Sequence, residues 1–431
     1  MNPDLPLRIA TGFRSRPRRL RAAAATALSV LLLAACGGSD DEPAPVASAA
    51  GAAAAMPADP AAPPVPAPPD AVLGVTQVAP ADPAWLTASS PVAALPRAAL
   101  DLAAAQRGWS TLVGAARCDV TLHAIVHPTV GPKGEPTDAS GAVLVPSGPE
   151  CPGPYPLLSY SRGTDRDRSR AMARPDDRET QAIATFFAAQ GYVVVASDYL
   201  GYAQSSFPYH PYLHAESAAR TNLDALRASR TLLTRLGVAD SGRLFLTGYS
   251  QGGHAALATQ RAIERDRPPG FVVTATGAMS GPYDLAGTVG DLALLVPLLL
   301  DVGDSSAAQS IEMRIGGLLS TGALDLLRER DSLREVLTIN SVIGWRPAAP
   351  VMLCGGARDP VVPFANTTRA LADFTARGAT VVALDVEQEP AYRPLLPAAG
   401  VPITDLGSYH QGDVPPPCFQ AVRDRLLAPL R

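Results

Sequence analysis

The chain has 431 residues, 47% of them hydrophobic, enough to build a sizeable core and to exclude wholesale disorder. A net charge of −4, with no basic domain, excludes a phosphate-neutralising surface, so nucleic acid is not an expected partner. The length suits one large α/β domain with a tail.

The first segment reads as an export signal. Arg8, Arg14, Arg16, Arg18, Arg19 and Arg21 make a basic stretch, and the apolar run 22–35 that follows is too short to span a bilayer comfortably. The run ends Leu33-Ala34-Ala35-Cys36-Gly37, which resembles the bacterial lipobox. That resemblance implies a signal peptide over 1–35 and a lipid on Cys36, the mature N-terminus. An ordinary signal peptide with an incidental cysteine is the competing reading. Gly37 stands where an aspartate would favour retention in the inner membrane, so the outer membrane is the expected location, with periplasmic or secreted protein as the alternative. Residues 36–84 are rich in Ala and Pro and read as an extended tether.

From residue 85 the pattern is that of a folded domain running to 431. Stretches 118–130 and 141–145 predict two strands joined by a Gly/Pro-rich turn. Thereafter strands (155–160, 192–196, 243–247, 271–278, 349–353, 379–384) alternate with helices (179–190, 215–236, 251–265, 367–377). Short Val- and Leu-rich runs separated by helices predict a mostly parallel central sheet covered on both faces, with its site at the carboxyl ends of the strands. Between 281 and 345 no strand is expected. Apolar helical segments 292–300 and 311–327 predict a small helical cap insertion at about 282–345; a long crossover with an extra helix is the alternative.

The sharpest motif is Gly248-Tyr249-Ser250-Gln251-Gly252, a G-x-S-x-G between a strand and a helix. Glycines flank the serine because a tight strand-to-helix turn leaves no room for side chains there. The hydroxyl then projects above the sheet beside a helix N-terminus that favours developing negative charge. A serine needs a base. On such a sheet the acid and then the histidine follow the serine in the chain, and of six histidines only His410 lies far enough downstream. His410 sits in a Gly-containing stretch, 406–412, read as a loop before the last helix. Asp359, just after the strand at 349–353, is the expected acid, with Asp284 as its rival and Asp405 and Asp413 as remote ones. The oxyanion hole needs two backbone donors. Gln251 supplies the first; the loop Ser159–Thr164 supplies the second at Thr164, with Gly163 letting that amide turn inward.

With these residues in place, the sequence resembles an α/β-hydrolase of the bacterial secreted lipase/esterase type from about residue 118 onward. Asp198-Tyr199-Leu200-Gly201, His210-Pro211-Tyr212-Leu213-His214 and Ser280-Gly281-Pro282-Tyr283-Asp284 resemble segments of such proteins. Arg162-Gly163 departs from the His-Gly common before the second oxyanion donor. The resemblance implies a cofactor-free enzyme that cleaves a small-molecule or lipid ester through a Ser-Asp-His triad, with the membrane as partner through its lipid. A serine peptidase and an inactive envelope-binding lipoprotein on the same fold are the rival functions. His210 and His214 have an i, i+4 spacing that could suit zinc on a helix, but Pro211 between them indicates a loop, and no metal is expected. In an exported chain Cys118, Cys151, Cys354 and Cys418 can pair in three ways. Cys118–Cys151 and Cys354–Cys418 would each join neighbouring segments; a free buried thiol is the competing reading for Cys354.

Overall fold

The computed structural model describes residues 83–287, 330–398, 401, 403 and 406–431. Residues 1–82 with Cys36, the cap segments 292–300 and 311–327, and Asp405 lie outside the described residues.

Among the described residues nine strands form one sheet: β1 (Ala88–Leu95), β2 (Asp119–Val130), β3 (Pro136–Ser147), β4 (Tyr155–Ser161), β5 (Val193–Ser197), β6 (Asp240–Tyr249), β7 (Val273–Met279), β8 (Val351–Gly355) and β9 (Val381–Asp385). Their order is β1-β2-β3-β5-β4-β6-β7-β8-β9. The pairs β1–β2, β2–β3 and β3–β5 are antiparallel, and every pair from β5 to β9 is parallel. This is the expected α/β-hydrolase architecture.

The unalternated strands are explained by their cover. Every residue of β4, β5 and β8 is buried, because helices occupy both faces. Alternate side chains go to opposite layers. Leu157, Val193, Val195 and Leu244 pack against Leu226 and Leu233 of one helix, Ala215–Leu236. Leu158, Val194 and Phe245 face Ile183 and Phe186 of another, Arg178–Phe186, and Phe419 of a third, Pro415–Ala421. Each such side chain contributes about 1.5–3 kcal/mol on burial, which is why so few charged residues interrupt these runs.

The helix ends follow their sequences. Asp177 caps Arg178–Phe186 by accepting from the amides of Glu179 and Thr180. His214 does the same for Ala215–Leu236 through the Ser217 amide, and Gly237 ends that helix at φ 66°. Three prolines open Pro415–Ala421, where the fixed φ of the ring suits the first turn of a helix.

The first strand and the helix after it are not legible beforehand. The edge strand β1 has no apolar alternation, and a bulge between Pro91 and Ala93 interrupts its pairing with β2. The helix Arg97–Gln106, which follows β1, buries only Leu100 and Ala104, too few to mark a face. Both expected cysteine pairings form: Cys118–Cys151 and Cys354–Cys418.

Candidate active site

At the end of β6 the backbone of Ser250 turns into φ 58°, ψ −121°, a conformation that costs a non-glycine residue about 1–3 kcal/mol. The surroundings hold it there. The Ser250 amide donates to the Met279 carbonyl at 2.9 Å, and the Gly253 amide donates to the Ser250 carbonyl at 2.9 Å. A Cβ at Gly252 would stand 1.8 Å from the Ser161 carbonyl oxygen, and one at Gly248 would stand 2.2 Å from that of Gly252. The glycines are therefore demanded by the backbone of β4 and of the helix Gln251–Asp266. Tyr199 and Ser280, just beyond β5 and β7, also have positive φ (68° and 42°), so strain gathers along this carboxyl rim.

His410 reaches the rim from the far end of the chain. It occupies a π-helical turn, Tyr409–Asp413, where the Val414 amide bonds the Tyr409 carbonyl at 3.2 Å. This corrects the expected loop: the run of prolines from 415 starts a helix, and the residues before it wind into the same axis. His410 is 2% exposed, and its own carbonyl accepts from the Tyr249 hydroxyl at 2.5 Å. Its Nε2 lies 2.8 Å from Ser250 Oγ and its Nδ1 lies 2.6 Å from Asp359 Oδ2. The second Asp359 oxygen accepts from the amides of Val361 and Val362, both at 3.0 Å. Because a carboxylate only accepts, Nδ1 carries the proton and Nε2 is left to take one from the serine. Of the rival acids, Asp284 pairs with Arg369 at 3.0 Å, and Asp413 lies near Arg178.

Gln251 opens the helix Gln251–Asp266, so its amide has no carbonyl partner within the helix. The amide of Thr164 has no hydrogen-bond partner among the described residues, and its hydroxyl meets that of Tyr212 at 3.1 Å. The loop before it is pinned three times. Asn222 Nδ2 donates to Ser161 Oγ at 2.8 Å, Tyr199 donates to the Arg162 carbonyl at 3.0 Å, and the Gly163 amide donates to Glu179 at 2.9 Å. Gly163 does not take a positive φ, and a Cβ there would meet nothing closer than 3.7 Å. The Glu179 carboxylate, rather than glycine's freedom, sets the path of this loop.

Two residues outside the expected set belong to the site. Arg162, 1% exposed, lies 4.0 Å over the Tyr202 ring, so aromatic faces accommodate the cation that stands where a histidine is common. His210 donates from Nδ1 to the Leu200 carbonyl at 3.1 Å and accepts at Nε2 from the Gln251 side chain at 2.6 Å. Burial, with the nearby Arg162 charge, pushes its pKa down to about 3, so it is neutral. His214 serves as the helix cap described above. The segment 210–214 was legible as a motif, but its hydrogen bond to Gln251 was not. Ser250 and His410 open into a cavity of about 1050 Å³ lined by Tyr160, Tyr212, Val361, Phe419 and other residues.

Comparison with known proteins completes the picture. Residues 176–281 match the model of a family described as secretory lipase. The rice cell wall degrading esterase LipA of Xanthomonas oryzae is 30% identical, with a TM-score of 0.66 over 80% of this chain and 99% of that one. A putative hydrolase of Legionella pneumophila, 23% identical over 70% of this chain and 91% of that one, has a TM-score of 0.59 and shares the fold. No curated protein sequence matches the chain.

Proposed function

The chain belongs to the α/β-hydrolase superfamily of lipases and esterases and is a carboxylic ester hydrolase, and we propose that it works through an acyl-enzyme on Ser250. His410 Nε2 takes the hydroxyl proton as Oγ attacks the ester carbonyl. The oxyanion accepts hydrogen bonds from the Gln251 and Thr164 amides while Asp359 steadies the imidazolium. The alcohol leaves with the proton from His410; water, deprotonated by the same ring, then releases the acid and restores Ser250. No cofactor enters these steps. The observation that carries this reading is the line from Ser250 Oγ through His410 to Asp359, with contacts of 2.8 and 2.6 Å.

Hydrolysis of p-nitrophenyl acyl esters of graded chain length measures the activity. Ser250→Ala is expected to lower kcat by about a millionfold and to abolish labelling by a fluorophosphonate. Equal labelling of the variant would sink the assignment, and an unlabelled wild type would favour the binding lipoprotein.

The cap over 282–345 belongs to this proposal; Pro282, at its start, lines the cavity. So do export and lipidation of Cys36, with residues 36–84 as a tether to the outer membrane. The secretory description of the matched family supports export, as do two disulfides, which persist in oxidising compartments. Metabolic labelling with palmitate, expected in the wild type and lost in Cys36→Ala, tests the anchor.

A further inference from the structure

We propose that the cavity over Ser250 selects esters bearing a carboxylate or similar anion at one end, with Arg178 as the specificity-determining residue; this rests on the serine-esterase reading above. The whole chain carries a net charge of −4. Yet the described lining of this cavity sets Arg166, Arg168, Arg170 and Arg178 against only Asp165 and Glu179.

Both carboxylates are already committed. Arg170 holds Asp165 and Glu179 at 2.8 Å each, and Asp177 at 3.0 Å as well. Arg168 donates to the carbonyls of Gly201 and Phe207, which orient its guanidinium without cancelling its charge. Arg178 is exposed and forms no hydrogen bond or ion pair among the described residues. Its Nη2 lies 3.6 Å from where a Cβ on Gly412 would stand, two residues beyond His410. Asp413 is the carboxyl that feels this guanidinium; burial pushes its pKa up, and it does not line the cavity.

An ester seated at Ser250 therefore meets, on the His410 side, a guanidinium that no described residue holds by a hydrogen bond or ion pair. A guanidinium binds a carboxylate through two parallel N–H donors, a geometry that no neutral ester end can use. The rest of the wall, with Tyr160, Tyr212 and Phe419, suits an apolar body. The expected substrate is amphiphilic, with an apolar middle and an anionic end.

Two matched pairs of esters locate the anion. p-Nitrophenyl valerate against mono-p-nitrophenyl glutarate places it on the acyl side; phenyl butyrate against p-carboxyphenyl butyrate places it on the alcohol side. The wild type is expected to favour the anionic member of at least one pair by about fivefold in kcat/KM, mainly through KM, as suits a partly exposed ion pair. That ratio should fall to near unity in Arg178→Gln, survive in part in Arg178→Lys, and shrink at roughly 0.5 M salt, where screening is strong. Reading a ratio within each variant separates selectivity from any general loss of activity. A wild type that treats both pairs evenly, or a preference unchanged in Arg178→Gln, overturns the selectivity while leaving the serine mechanism standing. If no ester of either pair is cleaved and a fluorophosphonate fails to label the wild type, both readings fall together.

Discussion

The two sides of the candidate site are held by different means. On the side of Ser250, the proposed nucleophile, the main chain is fixed by backbone contacts: a strained turn wedged between the end of β4 and the start of its own helix, with no room for a Cβ at Gly248 or Gly252. On the relay side, Asp359 and His410 are separated by 51 residues and meet through side-chain hydrogen bonds. A covalent tie runs behind them, since Cys354 ends in β8, just before the Asp359 loop, and Cys418 lies in the helix that follows His410. The contrast shows how one site can combine a local solution, written into five consecutive residues, with a distant one that needs an additional fastening.

The comparison is broken most severely at Gly252. Gly252→Ala puts a methyl 1.8 Å from the Ser161 carbonyl oxygen and 2.6 Å from its carbon, neither of which can move without displacing β4. We expect loss of activity by more than roughly 100-fold and a lower melting temperature, since overpacking of this kind costs about 1–3 kcal/mol or more. Gly163→Ala, on the loop that leaves β4 just beyond Ser161, is the control. Its Cβ would lie 3.7 Å from the nearest atom, so near wild-type melting is expected. If both variants behaved alike, the backbone account of the nucleophile side would fail.

The relay side is tested next, by opening its fastening. The Cys354–Cys418 bond closes a segment 64 residues apart in sequence, and losing such a loop constraint costs about 2–4 kcal/mol. Cys354→Ala with Cys418→Ala should therefore lower the urea midpoint and reduce kcat, because the acid and base loops lose their common anchor. A variant with lowered stability but unchanged kcat at a temperature where it is folded would show that the hydrogen bonds alone align the relay.

The smallest effect concerns the floor between the two sides, where His210 supports Gln251. The folded imidazole takes up its proton near pH 3, the unfolded one near 6.5. Between those values the unfolded chain binds more protons, so stability declines as pH falls below about 6.5 and is flat above it. One such group contributes a slope of at most about 1.4 kcal/mol per pH unit. Urea midpoints at pH 7.5 and 4.5 should diverge less in His210→Gln than in the wild type, and an identical divergence would show that other groups govern the acid response.

Much of this molecule could be read in advance from particular residues. The unalternated strands around Leu157, Val194 and Leu353 announced a parallel sheet covered on both faces, because only strands hidden on both sides can dispense with polar positions. Gly248-Tyr249-Ser250-Gln251-Gly252 between strand and helix marked one rim, chain order pointed to His410, and a place just after a strand put Asp359 ahead of Asp284, Asp405 and Asp413. These signals are local, or depend on order along the chain, and both survive in one dimension.

Other features needed three dimensions. The edge strand β1 owes its existence to pairing with β2, not to its own pattern. The hold of Glu179 on the Gly163 amide, the bond between His210 and Gln251, and Arg178 facing the cavity all arise between residues distant in the chain. Sequence by itself determined the fold and the residue types available to the site, because burial and backbone sterics act on near neighbours. Tertiary structure alone decided which polar groups support and surround those residues, because hydrogen bonds and ion pairs depend on distances of a few ångströms that spacing along a chain does not encode.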